Sequence, residues 1–300
     1  MALEPYILER MHSIYRQLQL PECKKALENS VGSELHGICI PITRAKFMLD
    51  IKHKGYDEFN CVRHVVVDEA QNFRNETGED WFKSIFKILN WPNDSQQHYD
   101  NTSLYIFCDQ LQKIRREYCG LSILDSKGEH QMSNLFPTEC RLSTVIRNSR
   151  KIYEQWEKIA LKQSDFEKRN QLGIGHDYEG REVNVVNLSS SDEIFSTVKE
   201  TIVKILDDKV YKESDVAVLF NKKDIAERFA KHIEASSISV TDAEEFPRRG
   251  LVVDSFRRFS GLDAPVVIAV APKSYSDYEN EDKVNILLYS RAMVEFHIIE

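Results

Sequence analysis

The chain has 300 residues, 42% of them hydrophobic and 29% charged, with 40 Lys and Arg against 48 Asp and Glu for a formal net charge of −8. This length and apolar content suffice for two ordinary α/β domains, and no apolar run reaches the roughly 20 residues needed to cross a bilayer. The acidic balance argues against a protein that is basic throughout, while leaving room for a local basic groove on an acidic body.

The opening residues, MALEPYILERMHSIYRQ, lack the basic start and apolar block of a secretory signal. A nuclear or cytoplasmic place is therefore expected, with no secretion and no membrane partner. Ile7, Met11, Ile14 and Leu18 recur at helix spacing until Pro21 stops the run. A short apolar segment, ICIPI, precedes TRAKFMLDI. The run CVRHVVVDEAQ reads as a buried parallel strand ending in acids. EDWFKSIFKILN reads as a helix with Trp81, Ile85, Ile88 and Leu89 on its inner face. WPNDSQQHYDNT is a polar loop, and SLYIFCD is a second buried strand that ends in an acid.

From Leu142 a new unit begins. STVIRNSRKIYEQWEKIALKQ runs from a polar turn into a long helix. LGIGHDYEG is a short linker candidate. REVNVVNL, DVAVLF, GLVVDSF and APVVIAVAP read as four strands, with DEIFSTVKETIVKILDD and KKDIAERFAKHIEA as helices between them. Strands alternating with helices predict an α/β fold of two parallel-sheet domains, 1–141 and 142–300. Cys23, Cys39, Cys61, Cys108, Cys119 and Cys140 all lie in the first half, without a Cys-x-x-Cys pair. They read as reduced thiols, and a zinc site from Cys39, Cys61 and His64 has no supporting spacing.

The chemistry concentrates at strand ends. In VVVDEAQNFR a buried strand ends in Asp68 and Glu69, at the carboxyl edge where open α/β sheets bind ligands. An Asp there can hold Mg²⁺ through water, and the neighbouring Glu can prepare the water that attacks a γ-phosphate. The bland alternative is a pair of acids capping a strand-to-helix turn. Further along come LYIFCDQLQKI, LSTVIRNS, VVDSFRRFSGLDAPVVIAV and ILLYSRAM. Each alone reads as an ordinary loop, turn glycine or helix arginine. Their order along the chain carries the argument.

That ordered set resembles superfamily 1 helicases. Together with ICIPITRAKFM, IGHDYEG and SFRRFSGLD, it is similar to the carboxyl-terminal helicase-like domain of long Schlafen proteins, most clearly from about residue 35 onward. The resemblance implies two RecA-like domains, the first missing its P-loop strand, that act on DNA or RNA, single strands by preference. It assigns catalytic roles to Asp68, Glu69, Gln112, Arg147 and Arg291. Asp68 would place Mg²⁺ through water, and Gln112, Arg147 and Arg291 would read the γ-phosphate. Asp109, Gly261 and Asp263 would contact the nucleotide, Asp263 standing where Glu is more usual. Thr43 and Arg44 would hold the nucleic-acid backbone. IGHDYEG is expected to be structural.

A working P-loop reads G-x-x-x-x-G-K-[ST], and its backbone N–H groups and Lys cradle the phosphates. No Gly in these 300 residues is followed by Lys. ATP and Mg²⁺ are therefore expected only if a P-loop is supplied. A shortened ATPase and a retired one kept for binding are favoured equally over a natural short relative. Two functions follow: part of a helicase-like ATPase, or a non-hydrolysing module that binds nucleic acid or a protein.

Overall fold

The structure, a computed structural model, describes residues 42–73, 80–91, 102–109, 112, 143–162, 173–188, 190–234, 236–245, 250–270 and 281–300. The expected helix over 7–18, most of ICIPI and the boundary near 141 lie outside these residues. So do Cys23, Cys39, Cys119 and Cys140.

The first part is built on two strands. Helix α1 (Arg44–Lys54) starts where the Thr43 hydroxyl accepts from the Lys46 amide at 3.3 Å. Strand β1 (His64–Val67) pairs in parallel with β2 (Ser103–Ile106), with Val65 opposite Leu104 and Val67 opposite Ile106. Between them in sequence runs α2 (Trp81–Ile88), capped by Asp80, whose Oδ1 accepts from the Phe82 amide at 2.9 Å. Trp81, Ile85, Ile88 and Leu89 are all buried, as the periodicity requires. Trp81, Phe82, Ile85 and Phe86 share a core with Met48, Val67 and Leu104, and each fully buried large side chain contributes about 1.5–3 kcal/mol. Of the polar loop only its ends are described, and there Trp91 Nε1 donates to Thr102 Oγ1 at 2.7 Å.

Beyond residue 142, β3 (Thr144–Val145) leads to α3 (Arg150–Ala160) and pairs in parallel with β4 (Gly173–Ile174). A larger sheet holds β5 (Asn184–Val186), β6 (Val216–Phe220), β7 (Val240–Thr241), β8 (Leu251–Ser255), β9 (Ala264–Val270) and β10 (Ala292–Ile299). Its order is β5-β10-β9-β6-β8-β7, and every pairing in it is parallel. Both faces are covered, which explains the unbroken apolar runs. Ala217, Leu219, Val267 and Ala269 face a core shared with α3 and α6 (Glu281–Arg291). The alternate residues Val216, Val218, Phe220, Val266 and Ile268 face α4 (Ile194–Asp207) and α5 (Lys223–Glu234). The molecule is thus an α/β protein with parallel sheets.

The short strands β3 and β7 were not read from the sequence, and three further details differ. A strand, β10, follows α6 with no intervening loop and lies inside the sheet between β5 and β9. Glu295 and His297 interrupt its apolar run, and both are buried. The strand-turn-strand element is a crossover, because β6 lies between β8 and β9. LGIGHDYEG, expected as a linker, is pinned through its described residues: Gly173 and Ile174 pair with β3, and the Tyr178 and Glu179 carbonyls each accept from the first α3 amides, Arg150 and Lys151, at 3.0 Å. Those carbonyls satisfy orphan donors of a helix start.

Candidate functional site

The first wall of the site is the carboxyl edge of β1 and β2. Phe107 N donates to Val67 O at 2.8 Å, and Ala70 N donates to Phe107 O at 3.0 Å. These bonds stitch the two strand ends together past the last ladder pair. Between them Glu69 takes a left-handed backbone, φ 53° and ψ 38°, while the Asp68 carboxylate accepts from the Glu69 amide at 2.9 Å. A non-glycine residue in that region costs on the order of 1–2 kcal/mol, and the flanking bonds hold it there. Asp68 is exposed and Glu69 half-buried.

Gln71, only 1% exposed, links the two ends again. Its Nε2 donates to Glu69 Oε2 at 2.5 Å, and its Oε1 accepts from the Asp109 amide at 3.0 Å. Gln112 Nε2 then donates to the Asp109 carboxylate at 2.8 Å.

The second wall is the amino edge of the large sheet. Arg291 ends α6 immediately before β10, and Asp263 immediately precedes β9. Arg291 is 1% exposed. Its Nη1 donates to Leu262 O at 3.1 Å, and its Nε and Nη2 donate to Ser290 Oγ at 3.2 and 3.1 Å. Nη2 also donates to Gln112 Oε1, joining the two walls. Arg147 is exposed and pairs with the Asp263 carboxylate. The turn that carries Arg147 is laced to the start of β10. Asn148 Nδ2 donates to Ala292 O at 2.6 Å, and Ser149 N donates to Met293 O at 2.7 Å.

IGHDYEG supports that turn from behind. His176 receives the Tyr178 N–H at Nδ1 (3.2 Å), so Nε2 carries the proton and donates to Asn148 O at 2.8 Å. A Cβ on Gly180, at φ +75°, would lie 2.2 Å from Ser149 Oγ and 2.3 Å from Ser149 Cβ. Gly261 also has a positive φ, +84°, but a Cβ there would meet nothing within 4 Å. Only the backbone at Gly261 requires glycine, and the space beside it is open.

Burial raises the Glu69 carboxyl above its ordinary range. Asp68 and Asp109 push the same way, while Arg291 and the Gln71 hydrogen bond oppose them. Burial lowers the Arg291 value, Arg147 adds to this, and Glu69, Asp263 and Asp109 favour the charged form. A guanidinium starting so high stays charged at any physiological pH. The cleft thus gathers three acids from one wall and two arginines and an acid from the other. Exposed Asp68 and half-buried Asp109 are hard oxygen donors of the kind Mg²⁺ takes, and planar guanidinium groups suit phosphate oxygens.

The structure therefore brings together Glu69, Asp109, Gln112, Arg147, Asp263 and Arg291, with Asp68 beside them and Gly261 in the adjoining turn. Thr43 and Arg44 open α1, where the Thr43 hydroxyl is engaged as a helix cap. Sequence reading assigned no role of their own to Gln71 and Asn148. Both lie in polar stretches, DEAQNFR and IRNSRK, where no local pattern sets them apart. Cys61 is exposed, and its proposed zinc partner Cys39 lies outside the described residues. No helix among the described residues is long and apolar enough to cross a membrane.

No family model matches the sequence. Among solved structures, the chain is similar to the C-terminal domain of a possible DNA helicase from Lactobacillus plantarum WCFS1. The identity is 18% and the TM-score 0.40, over 51% of this chain and 86% of that one. It is also similar to the PRRSV helicase, at 11% identity and a TM-score of 0.34 over 79% of this chain. The chain spans 35% of the length of that helicase.

Proposed function

We propose that this chain is part of a Schlafen-type, superfamily 1 helicase-like ATPase acting on nucleic acid, and that these 300 residues do not turn over ATP by themselves. One observation carries the reading: acids at the carboxyl ends of two parallel strands meet Arg291 from a second sheet through Gln112. A polyphosphate with Mg²⁺ has the charge distribution this cleft complements. Asp68 would hold the metal through water, which lends positive charge to the phosphates. Glu69 would orient the attacking water, its raised proton affinity suiting a group that takes up a proton. Arg147 and Arg291 would neutralise charge on the terminal phosphate, Gln112 would sense it, and Asp263 with the open turn at Gly261 would face the sugar. On this reading a domain boundary near residue 141 would set these residues between two RecA-like lobes. Thr43 and Arg44 would hold a single strand of DNA or RNA.

The phosphate cradle is the missing part, since no Gly-Lys pair occurs in the sequence. The isolated 300 residues should therefore hydrolyse ATP no faster than background. Hydrolysis above background that disappears in Glu69→Gln would overturn that half of the proposal. A longer polypeptide carrying a P-loop upstream, yet without Glu69-dependent hydrolysis, would overturn the other half.

A second reading is a module that binds nucleic acid or a protein without hydrolysis. The pairing of Arg147 with Asp263 and of Arg291 with Gln112 favours it, because both arginines already have partners within the chain. Binding of a fluorescent single strand that weakens steeply with salt, with no response to ATP, would select this reading.

A further inference from the structure

We propose that Asn148 is a positioning residue that sets the spacing between Arg147 and Arg291, with His176 holding it from behind. This rests on reading the two arginines as the groups that meet a terminal phosphate. Asn148 directly follows Arg147, and its side chain grips the turn that carries Arg291. Its Nδ2 donates to Ala292 O at 2.6 Å and to Tyr289 O at 3.3 Å, two carbonyls that flank Arg291 along the chain. The next residue continues the seam. Ser149 N donates to Met293 O at 2.7 Å, and Ser149 Oγ donates to Val294 O at 3.3 Å. Asn148 and Ser149 are both buried.

Chemistry fixes the direction of each bond. A backbone carbonyl only accepts, so Asn148 must turn its NH₂, and not its oxygen, toward Ala292 and Tyr289. Asp at 148 would set a carboxylate against two carbonyls, and Leu would leave both without this donor. On the far side, the Asn148 carbonyl accepts from His176 Nε2 at 2.8 Å, while His176 Nδ1 accepts the Tyr178 N–H. The seam displaces a local role. Ser149 stands at the N-cap of α3, where a serine oxygen ordinarily accepts from an amide of the first turn, yet it makes no such bond. The Tyr178 and Glu179 carbonyls meet those amides instead, and the Ser149 hydroxyl reaches β10. Side-chain burial does not hold the turn, because Ile146 is 71% exposed and Arg147 is exposed beside it. Hydrogen bonds of Asn148, Ser149 and His176 therefore decide where Arg147 leaves the chain. A buried amide that gives up its partners goes unsatisfied, so the seam is stiff. Arg147 and Arg291 then meet a phosphate as a pre-set pair, which lowers the entropic cost of engaging both.

The test reads motion of the turn by backbone amide NMR relaxation in the 300-residue chain, with no nucleotide present. In the unmodified protein the Arg147 and Asn148 amides should be as rigid as those of β10, with order parameters of about 0.85. His176→Leu removes the donor to the Asn148 carbonyl and should drop both below about 0.6. His176→Gln can place an N–H at the same point and should restore them. A merely structural histidine would lower the urea midpoint when replaced and leave the turn as rigid as before. Asn148→Leu should also shift the Arg291 Nε–H resonance, since the carbonyls flanking that residue lose their donor. A turn already mobile in the unmodified protein would overturn the proposal, and that measurement needs no variant to fold. Unchanged order in a folded His176→Leu chain would overturn it equally. A turn that loosens in His176→Leu, while a longer P-loop-bearing polypeptide binds nucleotide no worse after Arg147→Ala, upholds the positioning and removes the phosphate reading. Nucleotide affinity that depends on Arg147, with a turn indifferent to His176, does the reverse.

Discussion

The two arginines of the cleft stand on the same wall and are held in opposite ways. Arg291 is buried at the junction of α6 and β10, where it donates to a carbonyl, a hydroxyl and a side-chain amide. Arg147 sits on an exposed turn with the Asp263 carboxylate as its ion-pair partner. A ligand could recruit Arg147 by replacing one solvent-screened ion pair. Recruiting Arg291 means breaking its bonds to Leu262, Ser290 and Gln112. One arginine is therefore suited to meet a ligand first, and the other to report whether the two walls are engaged.

The sharpest way to break this comparison is to remove each arginine. Arg291→Ala leaves the buried Leu262 carbonyl and the half-buried Gln112 oxygen without this donor. It should cost about 2–4 kcal/mol of stability, the largest loss in this set, read from the urea unfolding midpoint. Lys at 291 should recover little, because a single ammonium cannot span Leu262, Ser290 and Gln112 as a planar fork does.

The glycines behind and beside the arginines extend the comparison. Gly180→Ala drives a methyl into Ser149, which is bonded to β10, at a left-handed backbone position. Overpacking and backbone strain together should cost about 2–4 kcal/mol. Gly261→Ala has the strain without the clash and should cost about 1 kcal/mol in the same urea assay. Equal losses at the two sites would show that the wall behind Ser149 yields easily.

Arg147→Ala should change stability by less than about 1 kcal/mol, since exposed ion pairs contribute little. On the proposed function it should nevertheless lower the affinity for a labelled nucleotide of a longer polypeptide that carries a P-loop, measured by anisotropy. A stability loss as large as that of Arg291→Ala would erase the distinction drawn here.

Glu69→Gln should give the smallest effect, with a pH signature. The folded-state value of Glu69 lies above its unfolded value, so the folded state holds the proton more tightly. Native stability from this group then falls as pH rises past the ordinary Glu range, about 4.3, toward the raised value. Glu69→Gln should unfold at a higher urea concentration than the parent at neutral pH. The gain should vanish below the ordinary Glu range, where the carboxyl is protonated in both states.

Much of this was legible in residues. Apolar runs ending in Asp68 and Asp109 announce strand ends, and continuous runs such as VAVLF and APVVIAV announce a sheet covered on both faces. The strand β10 was not legible as a continuous apolar run, because Glu295 and His297 alternate with Val294, Phe296 and Ile298; alternation would leave those two polar residues facing water, and the structure buries them. They are tolerated because His297 Nε2 meets Glu295 Oε1 at 2.8 Å and Arg181 reaches Glu295 at 3.1 Å. Burial raises the Glu295 carboxyl, but the His297 hydrogen bond and charge, with Arg181, carry it below its ordinary range. Gln71 was invisible for a related reason: a glutamine after two acids has no pattern until its second partner, Asp109, is brought alongside.

The sequence by itself determined the longer apolar strands and the amphipathic helices, and which acids and arginines fall at their ends, because burial and periodicity are written locally. Only the tertiary structure decided that β6 separates β8 from β9, that Arg291 is buried and that Arg147 is exposed. It also decided that two glutamines connect Arg291 to Glu69. Those outcomes depend on which chain segments lie side by side, and hydrogen bonds between residues far apart in sequence leave no local trace.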